Sequence, residues 1–171
     1  MKKNNWVPIV FIVTFILSIL FSGISSIIAN NLNVIFLIVI LLLVVSLGII
    51  FDMIGVAALT SNEATFHAKA TKKIKGAKES VKLIKNSSKI ASICCDIVGD
   101  ICGIVSGSLV TILAIYLVKY INNLSVVTVI ITALVSSLTV GGKAIFKTIA
   151  VKKCDNIIEL VGKILSYTKI F

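Results

Sequence analysis

The chain has 171 residues, of which 58% are hydrophobic and only 14% charged, with a mean hydropathy of +1.11. A soluble domain is roughly half apolar and about a quarter charged, and at this length it lacks the interior to hide so much apolar surface, which excludes an ordinary globular enzyme, a disordered chain and a fibre. All seventeen basic residues are Lys against seven acids, net +10, and with one His and no nucleophile–base or metal-protease spacing the expectation is a membrane protein, neither an enzyme nor a nucleic-acid binder.

A bilayer core about 30 Å thick takes about 20 apolar residues of helix, and continuous rather than alternating runs favour helices over barrel strands. Four runs qualify: 6–29, 34–60, 90–118 and 126–142. The first holds no charge, only Ser18, Ser22, Ser25 and Ser26, and is expected at the periphery. Lys2 and Lys3 precede it as in a signal peptide. Its apolar run exceeds the about 7–15 residues of such a segment and no A-x-A site follows, so it is expected to stay as a helix.

Lysine placement sets the orientation, because cytoplasmic loops carry the excess of basic residues. Eight Lys lie between Ser61 and Lys89 and six from Lys143 onward, whereas the Asn30-Asn31 turn has none and the turn near Asn122 has only Lys119. Both termini and the basic segment are therefore expected on the cytoplasmic side of a bacterial cell (plasma) membrane. The predicted fold class is an all-α membrane protein of one domain, 1–171. It has four transmembrane helices, a cytosolic amphipathic helical hairpin between helices 2 and 3, and a C-terminal juxtamembrane helix.

The hairpin, 62–87, reads as two short helices broken at Gly76. Ala64, Phe66 and Ile74 mix with Lys on the first, and Val81, Leu83 and Ile84 on the second. It is either a solvated loop that enforces topology or a hairpin lying on anionic lipid, where each Lys contributes about 1 kcal/mol near the surface. His67 is expected to be an exposed, inert helical residue. The tail, 146–171, is too charged to span. Ile157, Ile158, Leu160, Val161, Ile164 and Leu165 form an apolar face that is expected to lie in the interface plane. Cys94, Cys95, Cys102 and Cys154 form no C-x-x-C pair and read as small packing residues.

Acids inside the spans carry the most information. A charged residue near a helix centre costs about 2.5–3.5 kcal/mol on insertion scales, so Asp52, Asp96 and Asp100 need compensation. At 1.5 Å rise per residue, Asp52 is about 12 Å inside Thr60 and Asp96 about 10 Å inside Lys89, with Asp100 one turn deeper. At 100° per residue, Asp96, Asp100, Gly103 and Gly107 fall within about 40° of one line. Gly99, Gly103 and Gly107 form a small-x-x-x-small ladder suited to close helix packing. Gly48, Asp52 and Gly55 share a stripe on the second span. Thr132, Ser136, Thr139, Lys143 and Lys147 share a face on the fourth. The expected arrangement packs these faces around the carboxylates. Asp52, Asp96, Asp100, Ser136 and Thr139 would offer hard oxygen ligands to a divalent cation such as Mg²⁺, with Lys143 tuning the charge. The alternatives are protonation of one Asp or an internal Asp–Lys pair with no ion.

The order of elements then resembles the transmembrane domain of the cyclin-M/CorC family over 34–155. The second span ends Ala58-Leu59-Thr60-Ser61, where that family's first typically ends F-S-x-S-E-T-A-L-T-S. A basic helical segment runs from Gly76-Ala77-Lys78 to Lys85-Asn86. Gly99-Asp100 stands near the family's Gly-Asn-Asn element, and Gly142-Lys143-Ala144-Ile145-Phe146-Lys147-Thr148 stands at its G-E-x-x-P-K-T. The resemblance implies a dimeric divalent-cation transporter associated chiefly with Mg²⁺, binding the ion through serine and asparagine oxygens. This chain departs from it. Both serines of the first motif are gone, Asp100 stands for an asparagine, Lys143 for the glutamate and Phe146 for the proline. No nucleotide site is expected, because the regulatory domains that usually follow have no counterpart here. The functional expectation is a small homodimeric, Mg²⁺-like cation transporter or ion-binding membrane domain. The alternative is a non-transporting membrane partner whose intramembrane Asp residues pair with Lys143, and a lytic oligomer ranks behind both.

Overall fold

A computed structural model describes residues 6–29, 33–121 and 123–168. Lys2, Lys3, Asn30, Asn31, Asn122 and Lys169, which entered the topology reading, lie outside the described residues, as do the side chains of Ser25, Ser26 and Lys119. The described chain is helical, with no strand among the described residues. In order come α1 (Trp6–Ala29), α2 (Val34–Thr60), α3 (Glu63–Thr71), α4 (Ala77–Lys85) and α5 (Ser87–Ala91). A π-helical stretch (Ser92–Val98), α6 (Gly99–Ile121), α7 (Leu124–Lys152) and α8 (Cys154–Thr168) follow.

Among the described residues three stretches are long and apolar enough to cross a membrane: Val34–Thr60, Ser87–Val118 and Leu124–Lys152. A helix satisfies its own backbone, the condition for a chain in lipid. Hydroxyls within these stretches do likewise. Ser46 Oγ donates to Leu42 O at 2.7 Å and Thr128 Oγ1 to Leu124 O at 2.8 Å, so neither needs water. In α1 the apolar stretch Phe11–Leu20 is shorter.

Two boundaries differ from the sequence reading. The fourth run does not stop at 142: α7 continues to Lys152, and the tail helix starts at Cys154 rather than at 146. Gly142 has a packing reason to sit inside α7, because a Cβ there would stand 2.5 Å from Ile49 Cδ1 of α2, whereas one on Gly141 would meet nothing within 4 Å. The third run contains the π stretch, which periodicity did not predict.

The chain divides into two compact units. The first comprises Met1–Gly48 and Ile97–Gly141. In it α1 packs on α6, Leu37, Leu41 and Val45 bury one stripe of α2, and Ile101, Val105 and Leu109 bury one stripe of α6. Both stripes follow the four-residue spacing of a helix face. Gly48 lets α2 approach α6: a Cβ there would stand 3.0 Å from the Cys102 Cβ.

The second unit comprises Ile49–Asp96 and Gly142–Phe171. Its core is Ala57, Ala58, Phe66, Val81, Ile84, Ala150 and Ile158, drawn from α2, α3, α4, α7 and α8. Asn62 caps α3, its side-chain oxygen accepting from Ala64 N at 3.0 Å. Gly76 enters α4 at φ +84°, a left-handed conformation open to glycine. There α4 and α8 cross backbone to backbone. A Cβ on Gly76 would stand 2.6 Å from Lys163 N, and one on Gly162 would clash with the Ser80 hydroxyl and stand 2.6 Å from Gly76 O. Fully buried Ser80 is satisfied at the crossing, donating to Gly76 O at 3.0 Å and Ile158 O at 3.1 Å.

Candidate functional site

In the second unit, the buried charge is Asp52 on α2, 3% exposed. Its Oδ2 is sealed from solvent and has no hydrogen-bond partner. Lys147 Nζ, on α7, lies 3.5 Å from that oxygen. This is ion-pair range but outside good hydrogen-bond geometry, so the attraction is Coulombic. The Lys147 side chain is itself 52% exposed, so solvent screens part of the attraction.

The surroundings of Asp52 come from the π stretch. Cys95 Sγ donates weakly to the Asp52 carbonyl at 3.5 Å. One turn on, Gly55 is closed against Cys95 Sγ, which a Cβ would strike, and against Ala91 Cα and Cys94 Cβ at 3.3 Å. The glycine is what allows α2 to press against the widened helix. Cys94, Cys95, Cys102 and Cys154 form no disulfide, and Cys94 and Cys95 pack against Gly55.

The sequence reading gave the charge-tuning role to Lys143; Lys143 is half-buried, and the lysine found against Asp52 is Lys147, one turn on along the same stripe. Asp96, on the π stretch, and Asp100, in the first turn of α6, are both exposed. Among the described residues no group of three or more His, Cys, Asp or Glu is placed to hold a metal ion. Of the three acids expected in one cation site, Asp52 is buried and Asp96 exposed within the second unit, and Asp100 belongs to the first.

Ser136 and Thr139 lie in the first unit, where they line a cleft of about 350 Å³ between α6 and α7 together with Gly103, Ser106, Gly107 and Thr132. Thr139 Oγ1 donates to Val135 O at 2.7 Å and Ser106 Oγ to Gly103 O at 2.9 Å, so these hydroxyls satisfy their own helices. No acidic side chain lines this cleft. Gly99 is buried, but a Cβ built on Gly103 or Gly107 would meet nothing within 4 Å. The Gly103 and Gly107 rungs of the predicted packing ladder thus face the open cleft, with no helix packed in contact with them.

The basic segment has its own charge network in the second unit. Glu159 on α8 takes Lys69 Nζ and Lys163 Nζ, each at 2.7 Å. The hydrogen bond from Lys163, then that from Lys69, hold its carboxyl down from 4.5 to about 2. His67 contacts Glu63 at 2.9 Å one turn away and is exposed. Sequence reasoning missed the pairing role of Lys147, although it lay on the named stripe. It also missed the Gly76–Ser80–Gly162 crossing, for which a glycine in each amphipathic segment was the available signal.

No protein-family model, curated protein or solved structure matches the chain, and none of these comparisons identifies it with the cyclin-M/CorC family.

Proposed function

We propose that this is a non-enzymatic, four-span protein of the bacterial cytoplasmic membrane, with both termini inside, that acts by associating with membrane helices rather than by moving a cation. The observation that carries this reading is the Asp52–Lys147 pair: the buried carboxylate already has its counter-charge. The partner face is the uncovered side of α6 with Asp100, Gly103 and Gly107. Exposed acids and open glycines in an apolar span are costly against lipid but suit a second helix. Self-association as a homodimer is part of the reading.

A second reading, a Mg²⁺-like cation transporter resembling cyclin-M/CorC, is favoured by one observation, the unpartnered Oδ2 of Asp52. Thermal unfolding of the purified protein with and without Mg²⁺ separates the two. On the pairing reading Asp52→Asn and Lys147→Met each cost about 2 kcal/mol, discounted from the buried-pair range because Lys147 is half in solvent. The double variant regains most of that loss, and Mg²⁺ changes none of the midpoints. A Mg²⁺-dependent rise in the unsubstituted protein that Asp52→Asn abolishes would decide for the transporter.

A further inference from the structure

The apolar face predicted for the C-terminal helix turns out to be two faces. Ile158 and Gly162 are buried on the α4 side, where α4 and α8 pack together. Leu160, Ile164 and Tyr167 are exposed, Tyr167 by 73%. At 100° per residue these three fall within about 60° of one another and nearly opposite Ile158. A continuous apolar stripe therefore runs along the outside of a helix whose inner side is already occupied.

We infer that this outer stripe of α8 docks on an anionic phospholipid surface. Two observations select that occupant. The first is continuity: α8 begins at Cys154, directly after α7 ends at Lys152, and α7 is one of the stretches apolar enough to cross a bilayer. A helix attached within one residue to the end of a span is held at the headgroup layer. The second is charge. Lys153, exposed, stands in the turn just before α8, and Lys75 places its Nζ 3.7 Å from the centre of the Tyr167 ring. An apolar stripe edged with lysines is the pattern of an interfacial helix, with aliphatic stems lying along the acyl boundary and ammonium groups at the phosphates. Glu159 sits on the flank but is committed to Lys69 and Lys163, which limits its repulsion of phosphate. The inference is independent of the Asp52–Lys147 reading, since it involves none of the same residues.

The full chain in lipid nanodiscs provides the test. The protein has a single Trp, so Trp6→Phe with Tyr167→Trp places one indole reporter on the stripe. In discs containing phosphatidylglycerol the indole is expected to be shielded from aqueous acrylamide and quenched by lipids brominated near the headgroup end of the acyl chain. In phosphatidylcholine discs the inserted fraction falls. Lys75→Gln and Lys153→Gln, added singly to the reporter, each shift the inserted-to-wet ratio about fivefold toward wet in phosphatidylglycerol discs. Amide exchange across α8 of the unsubstituted chain repeats the lipid comparison without a new side chain, and slower exchange with phosphatidylglycerol is expected. An indole equally open to acrylamide in both lipids overturns the inference. So does an indole shielded from acrylamide and brominated lipid alike, which means protein covers the stripe. Lipid quenching that ignores headgroup charge overturns the anionic assignment.

Discussion

In the unit of Met1–Gly48 and Ile97–Gly141, large apolar side chains such as Phe11, Ile35 and Val129 stand exposed, and few polar groups are in play. In the unit of Ile49–Asp96 and Gly142–Phe171, Phe66 and Ile158 are fully buried, the capped α3 packs on α4 and α4 on α8, and carboxylates meet lysines. The first pattern fits a chain in lipid, where an exposed Phe loses nothing. The second is that of a small packed core, held by apolar burial. The most apolar stretch of α7 is only 6% buried, against 39% for the run from Ser87 to Val118. Among these three stretches, therefore, coverage is uneven, and α7 is the least covered.

The sharpest way to break this contrast is to remove one aromatic ring from each unit. Phe66→Ala empties a fully enclosed site and is expected to cost about 3–5 kcal/mol. Phe11→Ala removes a ring that is 74% exposed and is expected to stay within about 0.5 kcal/mol. Thermal midpoints in nanodiscs measure both. Equal losses would mean that α1 is buried against something and that the two units do not differ in kind.

Glycines give a smaller and more local comparison. Gly162→Ala forces a methyl onto the Ser80 hydroxyl and the Gly76 carbonyl and is expected to cost about 2 kcal/mol through a separated α4–α8 crossing. Gly107→Ala meets open space, so the monomer gains about 0.5–1 kcal/mol of helix propensity. If the α6 face receives a second copy, that same methyl weakens self-association. Cross-linking or light scattering then moves opposite to the melting midpoint.

Helix positions and membrane character were legible because continuous apolar runs and lysine-rich gaps leave few alternatives. Trp6–Ala29 and Val34–Thr60 begin and end where the runs do. What escaped is tertiary. Lys143 and Lys147 share one face of α7, about 40° apart, and the turn that meets Asp52 depends on how α7 slides along α2. The stripe could be read, but not its register. The π stretch has no compositional mark, because it goes with Gly55 pressing on Cys94 and Cys95. Helical periodicity put Asp96, Asp100, Gly103 and Gly107 along one line, but a line does not say what it faces, and the π turn through Asp96 departs from the 100° spacing. The tail's apolar residues were right as a set, yet a single wheel cannot reveal that Ile158 faces α4 while Leu160 and Ile164 face outward.

The smallest expected effect tests whether the second unit owes anything to charge. Glu159 is held at about 2, against an ordinary 4.5, by Lys163 and then Lys69. A carboxyl whose folded value is depressed contributes stability above its unfolded value and loses that contribution as pH falls through the interval down to the folded value. The contribution is therefore complete above about pH 4.5, declines between about 4.5 and 2, and is gone below. Its side chain is 25% exposed and both lysines reach solvent, so the two pairs together are worth only about 1 kcal/mol at low salt. Glu159→Gln should lower the thermal midpoint slightly at pH 7, and the gap from the unsubstituted protein should narrow steadily below pH 4.5 and shrink in added salt. Phe11→Ala, far outside this network, should show no such pH dependence. A gap that persists unchanged to pH 2 would mean that Glu159 stabilises α8 through the packing of its methylenes. Apolar burial would then hold the second unit together without help from its carboxylates.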